Sequence, residues 1–250
     1  MTKIDEETFL EDNPIIQKIY PDDADYPAQL SILSPKKILK PLYHIGETVP
    51  FSGGVSVVGT RKCSESGKQF AEEVGSILAD NSIVVISGLA RGIDSYAHKG
   101  CVENDGTSVA VLAWIHKLYP PEHKPLLDKV LENGCAVSET LFMPESFPQS
   151  QFLKRDEVMA MISDVVIVVE SKSKGGAKYT ADYAKKKNIP VIKCKTQTDD
   201  AELLEGHKTF LANGAIQATS PEHVIELISE LKEKKETKES KNNLDDFMAG

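Results

Sequence analysis

No run of apolar residues in this chain approaches the roughly 18 needed to cross a bilayer. The start, MTKIDEETFLEDN, is acidic where a secretion signal is basic and then apolar. Both features point to a cytoplasmic protein with no membrane contact. The four cysteines, Cys63, Cys101, Cys135 and Cys194, stand more than thirty residues apart, with no C-x-x-C pair and no closely spaced histidines beside them. That spacing offers neither a zinc site nor a disulfide framework, so no metal is expected. Cys101, Cys135 and Cys194 sit in or beside apolar stretches and read as small buried hydrophobes. Aromatic residues are only 6% of the chain, which argues against the interleaved aromatic and basic pattern of an oligonucleotide-binding barrel. Neither G-x-x-x-x-G-K-[ST] nor G-x-G-x-x-G occurs. ATP hydrolysis and NAD redox chemistry therefore lose support, and no cofactor is expected.

Arginine is scarce as well: of 29 basic residues only Arg61, Arg91 and Arg155 carry a guanidinium. A planar fork that grips phosphate through two hydrogen bonds makes the placement of three such residues in a lysine-rich chain worth following. The net charge of -9 is unevenly spread. Residues 1–26 hold eight acidic against two basic side chains and account for -6 of it, leaving -3 for the rest. A basic patch on the body is compatible with that distribution.

At 250 residues and 40% hydrophobic composition the chain can bury a sizeable core in one or two domains. From about residue 55 it alternates short Val- and Ile-rich runs, at 55–58, 83–86, 108–112, 136–137, 165–169 and 190–192, with helical patterns at 64–80, 94–104, 124–133, 149–161 and 177–187. Apolar runs without alternation are what strands covered on both faces require. Strand-helix-strand repetition predicts an α/β fold, a Rossmann-like, doubly wound and mostly parallel sheet, over 51–230. Two more helical patterns fall in 200–230, one opened by Ser220-Pro221. Residues 1–50, broken by Pro21, Pro27, Pro35, Pro41 and Pro50, read as an acidic N-terminal extension and lead-in of extended pieces, with Ile15, Ile16, Ile19 and Leu30 available to pack on the main body. Residues 231–250 read as a charged, disordered tail.

In an open parallel sheet, ligands bind at the carboxyl ends of the strands. Three of these ends are glycine-rich: Gly59-Thr60-Arg61-Lys62, then Ser87-Gly88 through Arg91-Gly92 to Asp94, then Glu170 through Lys172, Lys174 and Gly175-Gly176 to Thr180. Glycine lets a backbone approach and nest around phosphate, and hydroxyl and cationic side chains complete an anion site. Lys154-Arg155 lead into the fifth strand. The combination predicts a phosphate groove along one rim, with Arg61, Lys62, Arg91 and Arg155 as its main contacts.

The run Ser87-Gly88-Leu89-Ala90-Arg91-Gly92-Ile93-Asp94, followed by Ala97-His98 and Gly100, resembles the signature of the DprA/Smf DNA-processing proteins. Val57 through Lys62 is similar to that family's first phosphate loop. Tyr119-Pro120, Ser138-Glu139, Phe152 through Arg155 and Gly176 through Ala181 follow in the family's order, and Tyr26-Pro27, Leu30, Pro41-Leu42-Tyr43 and Gly46 resemble its lead-in. The resemblance spans roughly residues 20–195. It implies single-stranded DNA binding in a basic pocket, a homodimer, and a recombination-mediator role that loads a RecA-type recombinase during DNA uptake. Where the family has Arg-Asn-Arg, this chain has Arg155-Asp156-Glu157, so an expected cation is replaced by an anion. Lys178-Tyr179 stand where apolar residues are usual.

Other chemistry-bearing residues have plain structural readings beside the functional ones. Asp94 reads as a helix cap, and His98 as a packing residue or a ligand contact. Trp114 and Tyr119 offer core packing or base stacking. Glu139 is placed like a general base but has no nucleophile or metal beside it, so no catalytic residue is assigned. A second reading, a nucleotide-binding sensor or nucleotide N-glycoside hydrolase, rests on Gly175-Gly176 with Thr180 and Asp182. In a third, residues 1–26 lie over the groove as a DNA mimic.

Overall fold

Short strands and helices alternate along the chain. The computed structural model describes residues 5–33, 39–48, 51, 53–144 and 149–249, of which 33 and 238–249 are described by backbone alone. In chain order the elements are α1 (Glu6–Asp12), β1 (Gln17–Ile19), α2 (Ala28–Leu33), β2 (Leu42–Gly46), β3 (Val55–Val58), α3 (Glu65–Asp80), β4 (Val85–Ser87), α4 (Ile93–Val102) and β5 (Ser108–Val111). There follow a 3-10 turn at Pro121–His123, α5 (Lys124–Asn133), β6 (Cys135–Ser138), α6 (Gln149–Met161), β7 (Val165–Val168), α7 (Gly176–Lys186), β8 (Val191–Cys194), α8 (Ala201–Ala212), β9 (Ile216–Ala218) and α9 (Pro221–Ala249).

The strands form one nine-stranded sheet in the order β1-β2-β6-β5-β4-β3-β7-β8-β9. All pairings from β6 across to β9 are parallel, while β1 and β2 add to the β6 edge antiparallel. From β3 the chain winds outward to β6 on one side, then returns to β7 on the other side of β3. The strand order therefore reverses between β3 and β7, where Val58 stands opposite Val168. This reversal is what leaves a crevice at the carboxyl ends.

Alternation of side chains across the sheet splits the core in two. Val58, Ile86, Val166 and Val168 face α6 and α7, whereas Val55, Val57, Val85, Val165 and Ile167 face α3, α4 and α9. The predicted Rossmann-like sheet is the observed one, and the helices expected at 124–133 and 149–161 coincide with α5 and α6. Cys101, Cys135 and Cys194 are buried, and burial pushes each thiol up to about 12. No helix of the described residues is long and apolar enough to cross a membrane.

The described part of residues 1–50 packs on the main body through Ile16, Ile19 and Leu30, which are buried, whereas Ile15 is exposed. It also joins the sheet: β2 pairs with β6 over Tyr43 to Gly46, and Leu42 is fully buried. Pro35 and Pro50 lie outside the described residues. At the other end, the segment read as a disordered tail continues α9 to Ala249. Leu231 packs on the core, and Lys235 Nζ lies 3.1 Å from Asp164 Oδ1.

Candidate nucleic-acid interface

A cleft of about 850 Å³ opens at the reversal point. Its floor and walls come from the loops after β3, β4 and β7 and from the first turns of α6 and α7. The volume lies within the range of ligand sites, on the order of 300–1,000 Å³.

The strand-end glycines are there because side chains and backbone cross at close range. A Cβ on Gly88 would lie 1.2 Å from Nη1 of Arg155, so only glycine lets the guanidinium pass. Gly175 has nothing within 4 Å of that position but holds a φ of 139°, which favours glycine. It precedes α7, whose N-cap has no side-chain hydrogen bond, so the helix opens onto the cleft with free backbone N–H groups.

Behind this rim lies a buried charge cluster. The backbone N–H groups of Ala90, Gly59 and Gly88 lie toward the Asp94 carboxylate and favour its charged form. Burial raises its pKa; Arg155 and those three N–H groups work in the opposite direction. Arg155, with a side chain only 7% exposed, sets Nε 3.0 Å from Asp156 Oδ1 and Nη1 3.7 Å from Asp94 Oδ2. Neither nitrogen has a hydrogen-bond partner among the described residues. Burial pushes the Asp156 carboxyl up to about 6; Asp94 adds to the rise, and Arg155 and Arg61 oppose it. Arg155 is thus not the rim cation expected. It lines the cleft but spends its charge on two carboxylates.

Exposed cations surround the mouth. Arg61 is exposed, with its guanidinium 5.6 Å from the centre of the Phe152 ring, and Lys62 follows it. Lys174 is exposed beside Gly175, and Lys172 pairs with Glu202. Arg91 is exposed, but its Nε donates to Glu122 Oε1 at 2.6 Å.

Of the residues expected at the site, the structure brings Gly59, Thr60, Arg61, Arg155, Gly175, Gly176 and Thr180 together around the cleft. Gly88 and Arg91 line a small adjoining recess with Tyr119 and Phe152. Lys154 is exposed beside Glu139 and Gln151 in a separate recess. Ser87 is buried and donates to Val57 O at 2.6 Å, a structural bond between strands. Gly92 packs on the backbone of Thr60 and Arg61, where a Cβ would come within 2.3 Å of Thr60 O.

Other readings resolve on geometry. His98 is buried with Nδ1 2.7 Å from Ser108 Oγ, and burial pushes it down to about 3, so it packs as a neutral ring. Trp114 is buried against Phe152 and Tyr119, with ring centroids 5.5 and 6.3 Å away. Phe152 forms part of the cleft wall. Asp182, on which the hydrolase reading relied, pairs with Lys178 and lines a different cavity under α7 and α8. Helix α1 packs Phe9 on Phe142, ring centroids 4.9 Å apart, and no described residue before Val58 lines the cleft.

Sequence reasoning placed Lys172, Lys174 and Tyr179 in the loop after the fifth strand without naming them as contacts, and gave Asp156 only as part of a departure from the family pattern; all four line the cleft. It assigned no role to Glu170, which accepts from Ser64 N, Ser64 Oγ and Thr196 Oγ1 at 2.6–2.8 Å and so ties the end of β7 to the start of α3. A buried carboxylate after an apolar strand was the available signal.

Comparison with known proteins agrees with this fold. The family model for DNA recombination-mediator protein A matches residues 17–229. Protein Smf of Synechocystis sp. is 33% identical over 219 residues, covering 83% of this chain and 53% of that protein. The DNA processing protein DprA of Streptococcus pneumoniae is 32% identical over 173 residues, covering 68% of this chain and 60% of that protein. The chain spans about half the length of the curated relatives it matches. The X-ray structure of DprA from Streptococcus pneumoniae superposes with a TM-score of 0.76 at 26% identity, over 89% of this chain and 77% of that one. A structure of DNA processing protein A from Helicobacter pylori, described for its single-stranded DNA binding mode, superposes with a TM-score of 0.73 at 24% identity, over 88% and 96%. By this match over most of its length, the chain belongs to the DNA recombination-mediator protein A family.

Proposed function

We propose that the cleft binds single-stranded DNA without cleaving it. The observation that carries this reading is the division of charge: Arg61 and Lys174 exposed at the mouth, with exposed Lys62 next to Arg61 in sequence, the amides of α7 beside them, and the Phe152 ring inside. A backbone running along cationic side chains and a helix N-terminus, with bases turned onto an aromatic face, is the arrangement that single strands satisfy and a stacked duplex does not. The description of the Helicobacter pylori relative as a single-stranded DNA binder supports the same reading. Crosslinking with an oligonucleotide that carries a photoactive thymine analogue tests the location. Adducts on the α6 peptide containing Phe152 are expected; adducts confined to the β8–β9 edge would move the site elsewhere.

The family's name supports a further step, in which a cytoplasmic homodimer hands the bound strand to a RecA-type recombinase in recombination or DNA uptake. Recombinase filament assembly on strands already coated with single-strand binding protein should quicken when this protein is added. An unchanged rate would confine the protein to binding.

A further inference from the structure

We propose that Lys193, buried behind the cleft, is a positioning residue for strand binding: its ammonium group ties the carboxyl ends of β7 and β8 together and so holds the wall formed by residues 171–176. The inference rests on the single-strand reading above and adds to it a residue set behind the surface that the strand touches.

Lys193 lies within β8 at 2% exposure, between the buried Ile192 and Cys194. A lysine at that depth ordinarily has a carboxylate beside it, because an unpaired buried charge is costly. Among the described residues no carboxylate pairs with this one. Its Nζ donates instead to Val169 O at 2.6 Å and to Cys194 O at 2.7 Å.

The place of the two carbonyls decides what this bond controls. Val168 and Lys193 form the last pair between β7 and β8, and the ammonium joins one carbonyl from each strand just beyond it. Glu170 follows Val169: its backbone O accepts from Thr60 N at 2.7 Å, and its carboxylate holds Ser64 and Thr196. Ser171, Lys172, Lys174 and Gly175 come next and line the cleft. Helix α8 abuts the same stretch, where a Cβ on Gly206 would lie 1.9 Å from Ser171 O. Lys193 therefore anchors the start of the loop that brings Lys174 and the opening of α7 to the mouth.

Replacing a buried charge by an apolar residue of similar volume is often neutral or stabilising for a fold. What an apolar residue would lose here is the tie between the strands and a positive charge near a phosphate site. Burial lowers the pKa of Lys193 to about 8, while Cys194 and Glu170 act in the opposite direction, and His207 on α8 also feels its charge. Below that value the charged amine holds both carbonyls strongly and attracts the strand. Above it the neutral amine keeps donors but loses the charge. A bound strand favours the protonated form, so affinity falls as pH rises through 8. A strand that raises this pKa by one loses about tenfold in affinity across the transition.

The test is fluorescence anisotropy of a labelled dT strand at low salt, from about pH 6.5 to 9, on the full chain and on Lys193→Met and Lys193→Arg, with urea denaturation of each. The wild type should weaken about tenfold between pH 7 and 9. Lys193→Met should be at least as stable as wild type, bind about tenfold more weakly at pH 7, and show no further fall above it. Lys193→Arg keeps its charge at pH 9 and should bind within about threefold of wild type at pH 7, without the fall. A Lys193→Met protein that binds as wild type does, or that keeps the wild-type pH profile, overturns the proposal and leaves single-strand binding intact. Wild-type affinity that stays constant from pH 7 to 9 does the same. No binding by the wild type at pH 7 and low salt overturns the single-strand reading and this one with it. Should Lys193→Met fail to fold, Lys193→Arg decides: a fall with pH that matches the wild type overturns the proposal.

Discussion

A Cβ on Gly88 would stand 1.2 Å from Nη1 of Arg155. The strand-end turn after β4 and the second turn of α6 are fitted together at that point, more than sixty residues apart in sequence. Gly88→Ala should therefore expel the guanidinium and leave Asp94 and Asp156 without their counter-charge. Breaking a buried pair from one side costs about 3–5 kcal/mol. Urea denaturation should show a loss of that order, against a far smaller one for Lys154→Ala on the exposed side of the same helix. A Gly88→Ala protein as stable as wild type would mean that Arg155 is held from elsewhere.

The charge cluster sets a pH dependence whose sign can be worked out. Asp156 has a folded-state pKa near 6 against an ordinary 3.8, so between about pH 4 and 6 the folded protein holds a proton that the unfolded chain has released. Its contribution to stability therefore rises as pH falls through 6, and at neutral pH the ionised group is a cost on the order of 3 kcal/mol. The groups facing it are Arg155 on α6, Asp94 on α4, Arg61 after β3 and Tyr179 on α7. His98 acts in the opposite sense: its folded pKa near 3 means stability is lost as pH falls through 6.5. Thermal melts of wild type minus Asp156→Asn isolate the carboxylate. The variant should gain at pH 7 and converge with wild type near pH 4; a constant difference across that range would refute the assignment.

Salt slopes separate the rim cations. Each phosphate contact on a single strand contributes about 0.7 to the slope of log K against log salt. Arg61→Ala and Lys174→Ala should each lower the slope by about that amount. Arg91→Ala should do less, because Glu122 already holds the guanidinium. Glu122→Gln should strengthen binding by releasing it. Equal slopes for Arg61→Ala and wild type would remove that residue from the contact surface.

Helix α1 lies outside the cleft and supports the β2 edge through Phe9, which packs against Phe142 and His116. Phe9→Ala should lower stability by about 1–3 kcal/mol and leave DNA affinity unchanged. Tighter binding in a chain without residues 1–13 would revive the acidic start as a competitor for the groove.

The glycine-rich strand ends were legible in the sequence because glycine at those places answers a local constraint: a φ of 139° at Gly175, a crossing side chain at Gly88. Strands such as β3 and β7 were legible because burial on both faces leaves an unbroken apolar run. The role of Arg155 was not legible. Its neighbour in sequence suggested a lost phosphate contact, but its burial is decided by α6 packing over β3 and β4, which no local pattern carries. Strands β1 and β9, three residues each, fell below what periodicity can detect. Helix α9 was misread beyond residue 230 because its charges of both signs resemble a solvated tail, though Lys235 reaches Asp164.

The measurement that tests the central claim most directly is anisotropy of a labelled single strand and its duplex over a salt series, for wild type and the Arg61→Ala, Lys174→Ala double variant. The account expects tighter binding to the single strand, weakening with salt, and a slope lower by about 1.4 in the double variant. Equal affinity for duplex, or single-strand binding untouched by the two substitutions, would contradict it.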